Sequence, residues 1–356
     1  MSLKFTVLLL VLDIIACISA KNDYGKIVLA NVFFRHGDRT PLETYPNDPY
    51  NAVDTYWPEG LGQLTEVGRE QQYALGQHLR RIYSDLLPEV YSYKDLYVKS
   101  EDDDRCVMSA ECSLFALYPP LYNTSSGKNI VFQPIPIHTV PASQDPIYNA
   151  WAICDRYLKG YELIKQSAVY KCIDNVTQNV RDAVKEYAGS TQFSAGIYDI
   201  LLIEDLHNLT LPSWTAKYYP EPLQVINQFY WYLGVAGTKE LQKVAIGSFL
   251  NEMVGNMVAK KNGTLSPDRK MFLYPGHDYT ISDTFLALDI YDGVRVPCAS
   301  FASIELRLKD NSHYVLRAEL FATHQPAFCF VAANKLSMSL FISLGESFAI
   351  DDKINC

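Results

Sequence analysis

Arg35-His36-Gly37-Asp38-Arg39 brackets one histidine with two arginines. That set suits an oxyanion and repels a metal ion. Guanidinium forks match phosphate oxygens in a bidentate way. A neutral imidazole between them could attack phosphorus as a nucleophile. Gly37 permits a tight turn and close approach of a ligand. The bland alternative is a charged surface turn. His277-Asp278, after Pro275-Gly276, is a second candidate, with an imidazole and a carboxyl able to bind anions and move protons. Arg105 follows Glu101, Asp102, Asp103 and Asp104, and by itself reads as a salt-bridged, solvated turn.

Both histidine turns follow runs of strand length. KIVLANVFF, Lys26 to Phe34, is nearly continuous in apolar residues, as a buried parallel strand would be. MFLY, Met271 to Tyr274, is the second run. Open α/β sheets place their sites at the C-terminal ends of strands. Thr65 can cap a helix that continues from Arg69 to Tyr83, with Leu75, Leu79 and Ile82 at helical spacing. Asp95 to Val98 predicts a strand, and Val107 to Leu117 a helix stopped by Pro119-Pro120. Val131 to Val140, with Pro134 and Pro136, predicts an edge strand. Thr280 to Leu288 predicts a helix, and Ser303 to Leu308 with Tyr314 to Leu320 a strand pair. From Pro146 to Asn251 apolar and aromatic positions recur at helical spacing. The pattern predicts an α/β sandwich core, residues 21–142 and 255–356, with a mostly helical cap subdomain inserted at 143–254.

At the N-terminus, Lys4 precedes an apolar run from Phe5 to Ile18, and Ala20 offers a small residue for cleavage. Residues 1–20 read as a signal peptide and not as a membrane span, since the run is short and Asp13 would be costly in lipid. The run Phe328 to Gly345 is broken by Asn334, Lys335, Ser337 and Ser339, so no membrane anchor is expected. The balance of 31 Lys and Arg against 40 Asp and Glu, with no basic block, argues against nucleic acid. Of eight cysteines, Cys17 leaves with the signal peptide, so seven would remain. An odd number leaves at least one free or intermolecular thiol, and an oxidising compartment favours disulfides. No CxxC spacing suggests zinc or redox chemistry. Sequons at Asn123, Asn175, Asn208 and Asn262 fit a glycosylated, secreted chain.

RHGDRTP, Arg35 to Pro41, resembles the signature of the histidine acid phosphatases of the prostatic and lysosomal type. The likeness continues through GQLTEVGREQQYALGQHLRRIY at Gly62 to Tyr83, the Asp104-Arg105 pair, and MSA at Met108 to Ala110. ALYPP at Ala116, QPIPIHTVP at Gln133, LTLPSW at Leu209 and PGHD at Pro275 complete it. It runs from about Lys26 to Cys356 and looks most similar to secreted enzymes of insect venoms and salivas. The resemblance implies a secreted acid phosphatase that cleaves small phosphomonoesters without metal or cofactor. His36 would be the nucleophile and Asp278 the proton donor. Arg35, Arg39, Arg105 and His277 would bind the phosphate. It also implies a Cys154–Cys356 disulfide and allows a homodimer or lysosomal retention. Lys99 stands where the family usually has Arg, and Cys106 where it usually has Thr. The rival reading is a non-enzymatic salivary or venom protein that holds small amines or lipids in the same pocket.

Overall fold

The computed structural model describes residues 25–122, 127–129, 131–310, 313–321 and 336–337, the last two as backbone only. The expected signal peptide, the Asn123 sequon, Cys329 and Cys356 lie outside the described residues. The chain runs β1 (Lys26–Arg35), α1 (Glu66–Ile82), β2 (Leu96–Lys99), α2 (Asp104–Leu117) and β3 (Ile137–His138). Helices α3 (Asp155–Lys165), α4 (Ala168–Ala188), α5 (Ile197–Leu206), α6 (Leu223–Ala236) and α7 (Lys239–Lys261) follow. Then come β4 (Met271–Gly276), α8 (Asp278–Ala287), β5 (Phe301–Lys309), β6 (His313–Phe321) and β7 (Leu336–Ser337).

The strands form one sheet in the order β3-β2-β4-β1-β5-β6-β7. The four strands from β3 to β1 are parallel, and β5, β6 and β7 pair antiparallel. Strand β1 shows why its sequence is almost continuously apolar. Ala30, Val32 and Phe34 pack with Leu75 and Leu79 of α1 and Leu114 and Leu117 of α2. Leu29 and Phe33, pointing the other way, pack with Phe249 and Met253 of α7 and Ile281 and Phe285 of α8. A strand covered on both faces must be apolar at both parities. The result is a mixed α/β sandwich with helical insertions.

Between α2 and β4 the helices build two smaller cores. One joins Val184, Ala188, Ile197, Leu201 and Leu223. The other joins Tyr157, Ile164, Leu233, Leu241 and Val244. Helix α7 belongs to both regions, with Leu241 and Val244 in the second of these cores and Phe249, Met253 and Met257 on the sheet. No helix among the described residues is long and apolar enough to cross a membrane. Asn175, Asn208 and Asn262 are exposed.

Two expectations need correction. The extended segment expected over 131–140 contributes only Ile137–His138 to the sheet. Pro134 and Pro136 lack the N–H that a longer ladder needs. Cys154, one half of the expected Cys154–Cys356 disulfide, is a free thiol among the described residues. Cys106, Cys112, Cys154, Cys172 and Cys298 are free thiols. Cys154 is fully buried among Tyr157, Ile164 and Leu233, where it serves as a small apolar side chain, and Cys356 lies outside the described residues.

Asp48 and Glu204 are buried together beside Tyr45. Burial, reinforced by the neighbouring Asp48 charge, pushes Glu204 up to about 8. Neither Glu204 oxygen finds a protein donor, so a proton held against the Asp48 carboxyl is what joins the pair. Unfolded, Glu204 would ionise near 4.5, whereas folded it keeps its proton to about 8. Folding therefore takes up a proton within that window, and stability falls as pH rises through it. Glu204→Gln should raise unfolding free energy by on the order of 2 kcal/mol at about pH 8 and change little at about pH 4. Urea unfolding at both pH values measures this, and an equal effect at both would refute the shared proton.

Candidate active site

Parallel strands β1 and β4 are neighbours and end level, with Arg35 opposite Gly276. The residues that follow them therefore emerge side by side. The His36 N–H donates to the Gly276 carbonyl at 2.9 Å. The His36 and His277 rings sit 5.2 Å apart, edge to face. Strand β2 ends next to β4, and the Glu101 N–H donates to the Pro275 carbonyl at 3.1 Å. Helix α2 then starts at once and carries Arg105 in its first turn.

The loop after β1 is clamped onto the start of α1. A Cβ on Gly37 would lie 2.3 Å from the Gly68 carbonyl oxygen, and one on Gly68 would lie 2.2 Å from that of Asp38. Both positions exclude a side chain. Thr65 caps α1 by accepting from the Gly68 N–H at 3.1 Å, and its hydroxyl donates to Asp38 Oδ2 at 2.6 Å. Gln72 Nε2 donates to the Arg35 carbonyl at 2.8 Å. His207, at the end of α5, pairs with Asp38 through Nε2 at 2.9 Å. The loop is thus held from the sandwich and from the helical insertion together.

His36 is buried, and its Nδ1 lies 2.7 Å from the Gly37 carbonyl. A carbonyl only accepts, so Nδ1 carries the proton and Nε2 keeps a free lone pair. Burial and the charges of Arg35, His277, Arg105 and Arg39 hold the imidazole well below its ordinary 6.5. It stays neutral in mild acid.

Each cation has an acidic partner. Arg35 reaches Asp278 at 3.4 Å, and its other nitrogen donates to the Val296 carbonyl at 2.5 Å. Asp199 bridges Arg39 at 2.8 Å and Arg295 at 2.6 Å. Arg105 meets both Asp103 oxygens, at 2.9 and 2.8 Å. His277 Nε2 lies 2.6 Å from Glu101, whose carboxylate also accepts from the Tyr279 hydroxyl at 3.1 Å. Burial alone would raise Asp278, but Arg35, Arg295, His277 and Arg39 outweigh it and hold the carboxyl at about 2.

The six residues singled out by sequence, Arg35, His36, Arg39, Arg105, His277 and Asp278, all line one cavity of about 900 Å³. Sequence reasoning missed Asp199 and Arg295, which share it, and Glu101, which sits behind His277. Asp199 lies in an ordinary helical pattern and Arg295 in an irregular loop, so neither carried a local signal. Glu101 sits in an acidic turn that reads as solvated, yet it is buried. Lys99 points away from the cavity and pairs with Glu252 of α7 at 2.7 Å. Leu42, Val225, Trp231 and Tyr232 form a partly exposed apolar wall at the cavity mouth. The arrangement can hold a tetrahedral oxyanion against three guanidinium groups and an imidazole, present it to a neutral nitrogen, and deliver a proton from a carboxyl.

A family model, the histidine phosphatase superfamily (branch 2), matches residues 26–306. Among curated proteins, the chain is 35% identical over 293 residues to prostatic acid phosphatase of Bos taurus, covering 79% of this chain and 74% of that one. It is 35% identical over 294 residues to lysosomal acid phosphatase of Xenopus laevis, covering 80% and 67%. Human prostatic acid phosphatase is 34% identical over 303 residues, covering 82% and 76%. Among solved structures, Hafnia alvei phytase superposes with a TM-score of 0.66 at 15% identity, over 92% of this chain and 98% of that one. Citrobacter braakii phytase does so with a TM-score of 0.65 at 16% identity, over 91% and 98%. Those two likenesses speak for the fold.

The opposite environments of two histidines give a direct check. The hydrogen bond to Asp38 raises His207, while burial and cations depress His36. At about pH 6, nitrogen-15 NMR should find His207 largely protonated and His36 still neutral with its proton on Nδ1. Protonation of His36 near its ordinary pKa would contradict the reading of its surroundings.

Proposed function

Because the chain belongs to the histidine phosphatase superfamily (branch 2), we propose that it is an acid phosphatase acting on phosphate monoesters through a phosphohistidine on His36. The observation that carries this is the His36 imidazole, neutral and buried, with its Nε2 lone pair free among Arg35, Arg39, Arg105 and His277. Those four groups would hold the phosphoryl oxygens and stabilise the charge that spreads over them in the transition state. Nε2 attacks phosphorus, the P–O bond to the alcohol breaks, and Asp278 passes a proton to the leaving oxygen. Water then attacks the phosphohistidine, Asp278 takes up its proton, and inorganic phosphate leaves.

Asp278 at about 2 is ionised in the empty site, so the proton must arrive with substrate. A phosphate monoester below its second pKa, about 6, is a monoanion that carries one. Bound phosphate also offsets the arginine charges that depress Asp278, which then accepts that proton and relays it. Acid pH, where the monoanion predominates, is therefore favoured.

The prostatic and lysosomal relatives and the exposed sequons at Asn175, Asn208 and Asn262 support passage through the secretory route, to the exterior or to a lysosome. A homodimer and an insect venom or salivary origin rest on the sequence resemblance alone. The named relatives lend the venom reading no support.

The test is hydrolysis of p-nitrophenyl phosphate at about pH 5. His36→Ala should lose at least about a thousandfold in kcat. Asp278→Asn should slow alkyl phosphates far more than aryl phosphates, whose leaving oxygen needs little protonation. A chelator should not lower the rate. Equal rates for wild type and H36A would remove the enzyme reading and leave a binder of small amines or lipids.

A further inference from the structure

Behind the phosphate pocket lies a cluster that the reaction does not use as a unit. Glu101, Cys106 and His277 come from the turn after β2, the first turn of α2 and the end of β4. All three are buried. One carboxylate oxygen, the Cys106 Sγ and a His277 ring nitrogen all lie within 4.8 Å of one another. Cys106 Sγ is 3.7 Å from His277 Nε2, and that nitrogen is 2.6 Å from Glu101 Oε2.

We propose that Glu101, Cys106 and His277 form a binding site for one zinc-class divalent cation, and that its occupancy suppresses the phosphatase. The donor set is the first reason. Thiolate, imidazole and carboxylate are the ligands that zinc takes in tetrahedral sites. Geometry is the second. Bonds of about 2.3 Å to sulfur and about 2.0 Å to nitrogen at a tetrahedral angle put those two ligands about 3.5 Å apart. The observed 3.7 Å is already close to that. The Glu101–His277 pair must open from 2.6 Å to about 3.3 Å. The third reason is local charge. Glu101 and the Cys106 thiolate would together offset the divalent cation, while Arg105 is neutralised by Asp103.

Proton balance fixes the exchange. In the free protein the His277 Nε2–H donates to Glu101 Oε2, and Cys106 carries its own proton. The cation replaces both, two protons pass to solvent, and three bonds to the metal form. A fourth position can take water from the cavity that His277 and Tyr279 line. Opening the Glu101–His277 pair re-aims the His277 ring, which stands edge-on to His36. The suppressing half of this inference rests on the phosphatase reading above. The binding half does not.

The experiment uses the full chain at about pH 7 in phosphate-free buffer, where few protons compete for the ligands. Zinc is titrated by calorimetry, and cobalt by its thiolate charge-transfer absorption. One ion per chain is expected. Cys106→Ser and Cys106→Thr should weaken zinc at least about tenfold and abolish the cobalt–thiolate band, and Glu101→Gln should weaken zinc comparably. Zinc should suppress p-nitrophenyl phosphate hydrolysis by wild type, a chelator should restore it, and C106T should remain active in zinc. Absence of stoichiometric binding to wild type, or C106S binding as tightly as wild type, would overturn the site. Binding without loss of activity would overturn the suppression. Wild type that is inactive without zinc would count against the phosphatase reading, while calorimetry still decides the site.

Discussion

The parallel pairing of β1 with β4 is the constraint on which the site depends. Two histidines far apart in sequence become neighbours because their strands end level, and the His36 N–H is tied to the Gly276 carbonyl. Both strands are buried, so a slip of one residue would turn Phe33 and Phe34 toward the wrong layers. The register is therefore fixed by the core, and the site inherits it. Gly37 and Gly68 extend this fixity into the loop, because backbone meets backbone where a Cβ would collide. The nucleophile stands on a rigid element, as precise chemistry requires.

Concentrating Arg35, Arg39, Arg105 and His277 around one imidazole raises a charge problem. The fold answers it locally, with Asp278, Asp103 and Glu101 from the sandwich and Asp199 from the helical insertion. Each acid aims its cation while the pocket holds no anion. Such fixed dipoles and charges need little reorganisation when a phosphoryl group arrives. Burial, together with these neighbours, keeps His36 neutral and therefore nucleophilic. The insertion is part of this balance, since Asp199 on α5 holds both Arg39 and Arg295.

What the sequence made legible follows from the range of each interaction. KIVLANVFF and MFLY announced buried parallel strands, because burial on both faces leaves a mark in every residue. Thr65 announced the α1 cap, because capping is local. Arg35, His36 and Arg39 were legible because they follow a strand end, His277 and Asp278 more weakly for the same reason, and Arg105 and His277 became firm through the family resemblance. Asp199 and Arg295 were not, since their meaning lies in a partner from another element. Glu101 was misread because an acidic turn is usually wet, whereas here it is buried against His277 and Tyr279. The Cys154–Cys356 disulfide failed for a similar reason. A cysteine that packs as a core residue looks, in sequence, like one awaiting a partner.

Helix α7 has a mechanical consequence. It is 23 residues long, with one end packed among α3 and α6 and the other on the sheet. A helix bends sharply at proline, at a glycine–serine pair, at a bulge or at an inserted side chain. α7 contains no proline, but Gly247-Ser248 lies where it passes from the second small core onto the sheet. It runs through both parts of the molecule, so any swing of one against the other must bend it, and Gly247-Ser248 is where that bend would fall. The bore of the cavity then depends on how far that joint flexes, and on side-chain rotations at Trp231 and Tyr232.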